Sequence, residues 1–184
     1  MIRLGLRSLS RERPARERGP YLYTQASLEP GRTAFVLVDV WSEHGSPTHH
    51  ERAQQIIEDK IVPALAAARA AGMHIIHAPA GRAIAPAITV LSGDRVHGLT
   101  PIGELGLDDL FYVGFSTNGC VLHRPYGIVA THKAHRVILL RDATTGTEYP
   151  DTLGDLCATR AAIGRIERHY GYTVLTEEFI NACY

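Results

Sequence analysis

Two apolar runs constrain this chain more than any other feature. Thr33-Ala-Phe-Val-Leu-Val-Asp-Val40 and Leu110-Phe-Tyr-Val113 are almost continuously apolar. Both have strand length, and neither alternates polar with apolar residues. Strands that read this way are covered on both faces, as central strands of a parallel sheet are. Between the two runs, Ile56, Ile57, Ile61, Leu65 and Ala68 recur at helical spacing and stop before Gly72. Met73–Ala78, Arg136–Arg141 and Gly171–Leu175 read as further strands, with helical patterns between them. Such alternation implies right-handed crossovers. The expected architecture is a three-layer α/β/α sandwich on an open, mostly parallel, Rossmann-like sheet.

Local signals refine this outline. Thr48 and Glu51 match the capping-box spacing, so a helix should start near His49. Pro63 inside that helix predicts a kink. A second helix is expected over Val121–Lys133, with Pro125 in its first turns. The connection from Pro79 to Thr100 is long and carries Arg82, Asp94, Arg95 and His97; loops of that length are often functional. Residues 1–30 stand apart, with Arg3, Arg7, Arg11, Arg13, Arg16 and Arg18. They read as a solvated Arg-rich arm preceding a single domain over 31–184.

Composition excludes several classes. The net charge is zero with His neutral, so there is no general attraction to nucleic acid or an anionic membrane. No apolar run approaches the roughly 20 residues needed to span a bilayer. No secretory signal is visible near the start. Cys120, Cys157 and Cys183 are too few and too scattered for a disulfide framework or a Cys-rich zinc site. A reducing cytoplasm is the expected location.

Ligand sites in open α/β sheets form outside the carboxyl ends of strands. Asp39 ends the first apolar run. Cys120 follows the second, after the turn-rich Gly114–Gly119, where a helix should begin. A thiol at a helix N-terminus is expected to favour its thiolate. The convergence suits nucleophilic catalysis, which also needs a proton acceptor and an oxyanion site. His44, His49 and His50 lie just after the first strand without a metal-ligand pattern. His74 and His77 should face opposite sides of their strand. Neither a metal nor another cofactor is implied.

Three motifs in order carry a resemblance: Ala-Phe-Val-Leu-Val-Asp39, then Val-Gly-Phe-Ser-Thr-Asn-Gly-Cys120-Val, then Val-Ile-Leu-Leu-Arg-Asp142-Ala-Thr. Together they resemble the isochorismatase-like cysteine hydrolases over about residues 30 to 184. The resemblance implies an Asp–Lys–Cys triad with Cys120 as nucleophile and Asp39 as the proton-transfer aspartate. It implies a cis peptide near Ser116-Thr117 and an oxyanion hole from the N–H groups of Thr117 and Cys120 or their neighbours. It also implies a small-molecule substrate cleaved at an amide-type C–N bond, and a homo-oligomer. Trp41, His123 and Tyr126 are the expected pocket residues. The triad's lysine is missing: the chain has only Lys60 and Lys133, neither in the connection where the family places it. Arg95 is the expected substitute cation and His97 the expected substitute proton carrier. The alternative is a catalytically silent binding or scaffold protein of the same fold.

Overall fold

The computed structural model describes residues 1–11, 20–96 and 102–184, apart from the side chains of residues 103 and 104. Its strands are β1 (Ile2–Leu9), β2 (Tyr21–Leu28), β3 (Thr33–Val38), β4 (His74–Ala78), β5 (Arg95–Val96), β6 (Asp109–Phe115), β7 (Arg136–Thr145) and β8 (Tyr172–Val174). They form one sheet in the order β2-β1-β8-β7-β6-β3-β4-β5. Pairing is parallel from β8 through to β5 and antiparallel at β1. The two apolar runs, β3 and β6, are neighbours in the interior of the sheet, with every residue buried.

Alternate residues of these strands feed two cores. Phe35, Leu37, Phe111 and Val113 pack on one face with Ile57, Ile61, Leu65 and Phe179. Ala34, Val36, Leu110 and Tyr112 pack on the other with Val121, Ile128 and Ile166. Burying both faces removes the reason for polar alternation along these strands.

The helices are α1 (Pro47–Ile56), α2 (Val62–Ala70), α3 (Cys120–His123), α4 (Ile128–Thr131), α5 (Cys157–His169) and α6 (Thr176–Cys183). Helix α1 begins with Pro47 at its first position, two residues before His49, and its N-cap is Ser46, without a side-chain capping bond, in place of the expected Thr48. Proline suits that position because its missing N–H would be unpaired there in any case. A π-helical stretch, Ile57–Ile61, joins α1 to α2, and the Val62 N–H reaches back to the Ile57 carbonyl. This widened turn accommodates Pro63, which can neither donate nor pack normally against the carbonyl four residues before it.

The expected solvated arm is instead a hairpin. Ile2, Leu4 and Leu6 are buried at alternate positions, the pattern of a strand with one covered face. β1 pairs with β2 along its length and meets β8 at Arg7 and Thr173. Arg7 Nε donates to the buried Glu167 carboxylate at 2.7 Å, and its guanidinium stacks on Tyr21 at 4.3 Å. Arg13, Arg16 and Arg18 lie outside the described residues.

Candidate active site

β3 and β6 deliver Asp39 and the Ser116–Cys120 turn to the same end of the sheet. Their backbones approach so closely at Gly114 that a Cβ there would sit 2.0 Å from the Val38 carbonyl oxygen, and φ is +113°. Only glycine fits. On the other side, the β6–β7 register shifts between Tyr112 and Gly114, then resumes through Phe115 and Thr145. The strand therefore stays paired to Phe115, and the cis peptide falls at Phe115–Ser116, one bond earlier than expected.

Thr117 is a structural residue of this turn, not the expected oxyanion donor. Its N–H donates to the Thr145 carbonyl at 3.1 Å, and its hydroxyl bonds that of Thr144 at 2.6 Å. The N–H groups of Gly119 and Val121 are both bonded to the Ser116 carbonyl.

Asp39 lies just beyond β3 with φ +49°, a left-handed conformation that aspartate tolerates better than most residues. It is fully buried. Its Oδ2 accepts from Arg124 Nη2 at 2.7 Å and from Nε at 3.0 Å. Its Oδ1 is buried without a hydrogen-bond partner. The same carboxylate is close enough to Cys120 to raise the thiol's pKa.

Arg124 is the cation that sequence reasoning missed. The expected long helix over Val121–Lys133 is broken in two. Arg124 precedes Pro125, which disfavours helical backbone, and its ψ is 156°. Helix α3 ends there after one turn, and the guanidinium lies against Asp39. The signal was available in Arg124-Pro125, four residues after the cysteine.

Arg95 is not at this site. It lies exposed on the edge strand β5, paired in register with Ile76, and β4 separates that strand from β3. His97 lies outside the described residues. Asp94, from the same connection, is a clamp: it accepts from Arg69 at 2.6 Å and from the Leu91 N–H at 3.0 Å, and bonds His77 at 2.9 Å. Lys60 pairs with Asp142 at 3.3 Å, and Lys133 is exposed.

The Cys120 thiol is not shifted toward its thiolate as expected. Burial, then Asp39, push its pKa up, against smaller opposing effects of the Arg124 charge and the Ser116 N–H. Helix α3 has only four residues, too short for a full dipole to build up.

A cavity of about 310 Å³ opens on Cys120, walled by Trp41, His44, His49, Phe115 and Ser116. Trp41 is fixed in this wall by a hydrogen bond from Nε1 to the Pro79 carbonyl at 2.7 Å and by Arg82 stacked 4.1 Å from its ring. His123 does not line this cavity; α3 buries Val121 and Leu122 and leaves His123 exposed. Tyr126 is not among its walls either. Its hydroxyl donates to the Ala78 carbonyl at 3.4 Å, and burial followed by Asp39 pushes its pKa up to about 12.

The three histidines gather here instead. His44 stacks on Trp41 at 5.6 Å, with His49 at 5.2 Å and His50 at 6.3 Å. Burial first, then the neighbouring imidazoles, lower the His44 pKa to about 4. Burial also lowers that of His49. The His49 Nδ1 lies 3.1 Å from the Gly146 carbonyl, which can only accept, so Nδ1 carries the proton and Nε2 is left as an acceptor. Among the described residues, no three His, Cys, Asp or Glu side chains form a metal-ligand group. No described helix is long and apolar enough to cross a membrane.

No protein-family model and no curated protein matches the chain. Solved structures do. A cysteine hydrolase from Pseudomonas syringae pv. phaseolicola superposes with a TM-score of 0.66 at 21% identity, covering 85% of this chain and 96% of that one. An isochorismatase from Pseudomonas putida gives 0.62 at 19%, covering 83% and 92%. The N-carbamoylsarcosine amidase of Thermoplasma acidophilum gives 0.57 at 15%, covering 79% and 97%. The chain has the isochorismatase-like hydrolase fold.

Proposed function

We propose that this protein is a cysteine hydrolase that cleaves an amide-type C–N bond of a small, uncharged molecule. The observation that carries this reading is the Asp39 carboxylate. One oxygen is held by Arg124, the other is buried without a hydrogen-bond partner, and the carboxylate is close enough to the Cys120 thiol to raise its pKa. A buried carboxylate oxygen without a donor is costly unless it has a use, and here it can accept the thiol proton.

The reaction begins from a neutral thiol. Cys120 Sγ attacks the carbonyl carbon as its proton passes to Asp39 Oδ1. The N–H groups of Ser116 and Cys120 are the proposed oxyanion donors. Collapse of the tetrahedral adduct breaks the C–N bond, with the proton moving from Asp39 to the departing nitrogen. Water then attacks the thioester, gives a proton to Asp39, and the acid leaves as that proton returns to Sγ. Arg124 pairs with the Asp39 carboxylate between steps but cannot carry protons, because a guanidinium stays protonated. Asp39 thus performs both transfers without a lysine. Among the described residues the cavity walls carry no charged side chain, so a substrate carboxylate would find no counter-ion among them.

The raised thiol pKa favours a second reading, a silent binder of the same fold. Ammonia release from a panel of small neutral primary amides separates the two. Turnover that disappears in Cys120→Ala and Asp39→Asn is expected. Absence of both turnover and a covalent acyl adduct by intact mass would leave the silent binder. A cytoplasmic homo-oligomer is part of the proposal. β2 ends the sheet with eight residues, none charged, and Tyr21, Leu22 and Tyr23 are exposed. A monomer in light scattering at micromolar concentration would contradict the assembly.

A further inference from the structure

A second cavity, about 470 Å³, lies across β7 from the Cys120 turn, between the α1–π-helical wall and the first turns of α5. Its apolar lining includes Ile56, Leu156 and Ile163. Four basic side chains line it, together with the carboxylates of Asp59, Asp142 and Asp155. Two are matched: Lys60 by Asp142 at 3.3 Å, and Arg160 by Asp155 at 2.7 Å.

The other two are not. Arg52 donates to the Thr145 hydroxyl at 3.3 Å, the Thr48 carbonyl at 3.0 Å and the Gly146 carbonyl at 3.5 Å, all of them neutral. Arg141 is largely buried, yet its carboxylate contact is Glu178 at 3.9 Å, and its hydrogen bond to Thr173 is long at 3.4 Å. A partly buried guanidinium without a close counter-ion is costly. Burial, with the charge of Arg7 added, disfavours the protonated form of Arg141 against the smaller opposing charges of Glu178, Glu167 and Asp142.

The two cations sit at opposite ends of one short segment. Arg52 bonds Thr145, four residues after Arg141 on β7, which is at most about 13 Å of extended strand. The register shift in β7 shortens that span. We propose that this cavity binds a short organic dicarboxylate, with one carboxylate on Arg52, the other on Arg141, and the aliphatic chain against Ile56, Leu156 and Ile163.

Such a ligand would be felt at Cys120. The carbonyl of Thr145 holds the Thr117 N–H, and the carbonyl of Gly146 holds His49. Arg52 touches both Thr145 and Gly146, so drawing its guanidinium onto a ligand loosens one support of each wall of the catalytic cavity. This site is independent of the C–N cleavage reading, since its binding can be measured without turnover.

Titration calorimetry of the full chain with adipate, hexanoate and sodium sulfate tests the assignment. Adipate is expected to bind at least tenfold more tightly than hexanoate. Arg52→Gln and Arg141→Gln should each lose at least tenfold, with circular dichroism confirming that they fold. Should Arg141→Gln not fold, Ile163→Asp, which adds a carboxylate to the apolar wall, should abolish adipate binding. Equal binding of hexanoate or sulfate, or unchanged affinity in the folded variants, overturns the proposal. Saturating adipate should also change the rate of Cys120 alkylation by iodoacetamide at least twofold in the wild type and not in Arg52→Gln. An unchanged wild-type rate overturns the coupling.

Discussion

Replacing Arg124 with methionine tests the centre of the site, because methionine keeps most of the aliphatic stem and removes the charge together with its two hydrogen bonds to Asp39. Asp39 is 0% exposed, so the variant leaves a carboxylate buried without its cation. Breaking a fully buried pair in this way costs about 3–5 kcal/mol. The Arg124 side chain is 33% exposed, and water on that side screens part of the interaction. The expected loss is therefore at the lower end, about 2–3 kcal/mol. For a chain of this size that is a fall in Tm of roughly 5–10 °C.

The cause can be separated from lost packing. If the penalty is the orphaned charge, adding Asp39→Asn to Arg124→Met should recover most of the stability, although Asp39→Asn alone gains nothing. Urea unfolding of the four proteins gives the coupling directly. The same variant should push the Cys120 thiol further up, since the Arg124 charge is one of the two influences holding it down. The alkylation rate of Cys120 against pH reads this. Wild-type stability in Arg124→Met, or a double variant no more stable than Arg124→Met, would refute this role of the Asp39–Arg124 pair.

The remaining predictions concern the walls and supports of the site. His44 has its folded pKa lowered to about 4 from 6.5. Its stabilising contribution is therefore full above pH 6.5 and is lost as pH falls toward 4. After discounting for a half-buried ring, that is about 1.5 kcal/mol, and His44→Phe should flatten urea stability over this window. Arg7→Met orphans the buried Glu167, and hydrogen exchange should show β1 and β2 opening well before β3 and β6; equal protection throughout would refute the role of this pair as the hairpin's lock. Gly114→Ala drives a methyl into the Val38 carbonyl at a positive φ, so a loss above about 3 kcal/mol or failure to express folded protein is expected, and a soluble variant with wild-type Tm would show that β3 and β6 are not so close.

Features that depend on local patterning were legible in the sequence. The unbroken apolar character of β3 and β6 follows from covering both faces, so it located the sheet centre and, with it, Asp39 and Cys120 at one edge. The hairpin was not read because its alternation, Ile2-Leu4-Leu6, is short and interleaved with arginines, one of which is neutralised only by Glu167, 160 residues away. The placement of Arg95 failed for a related reason. Proximity in sequence to the expected lysine position says nothing about strand order, and β5 attaches to the outer side of β4. Arg124 lies 85 residues from Asp39, yet its position is set by a local rule: the residue before a proline leaves the helix. That rule ends α3 one turn after Cys120. The structure therefore ties the Cys120 thiol, the helix break and the counter-ion of the Asp39 carboxylate to five consecutive residues, Cys120 to Arg124, followed by Pro125. Replacing Pro125 with alanine should let α3 continue and carry Arg124 away from Asp39. The result should resemble Arg124→Met in stability and in thiol titration while the arginine is still present.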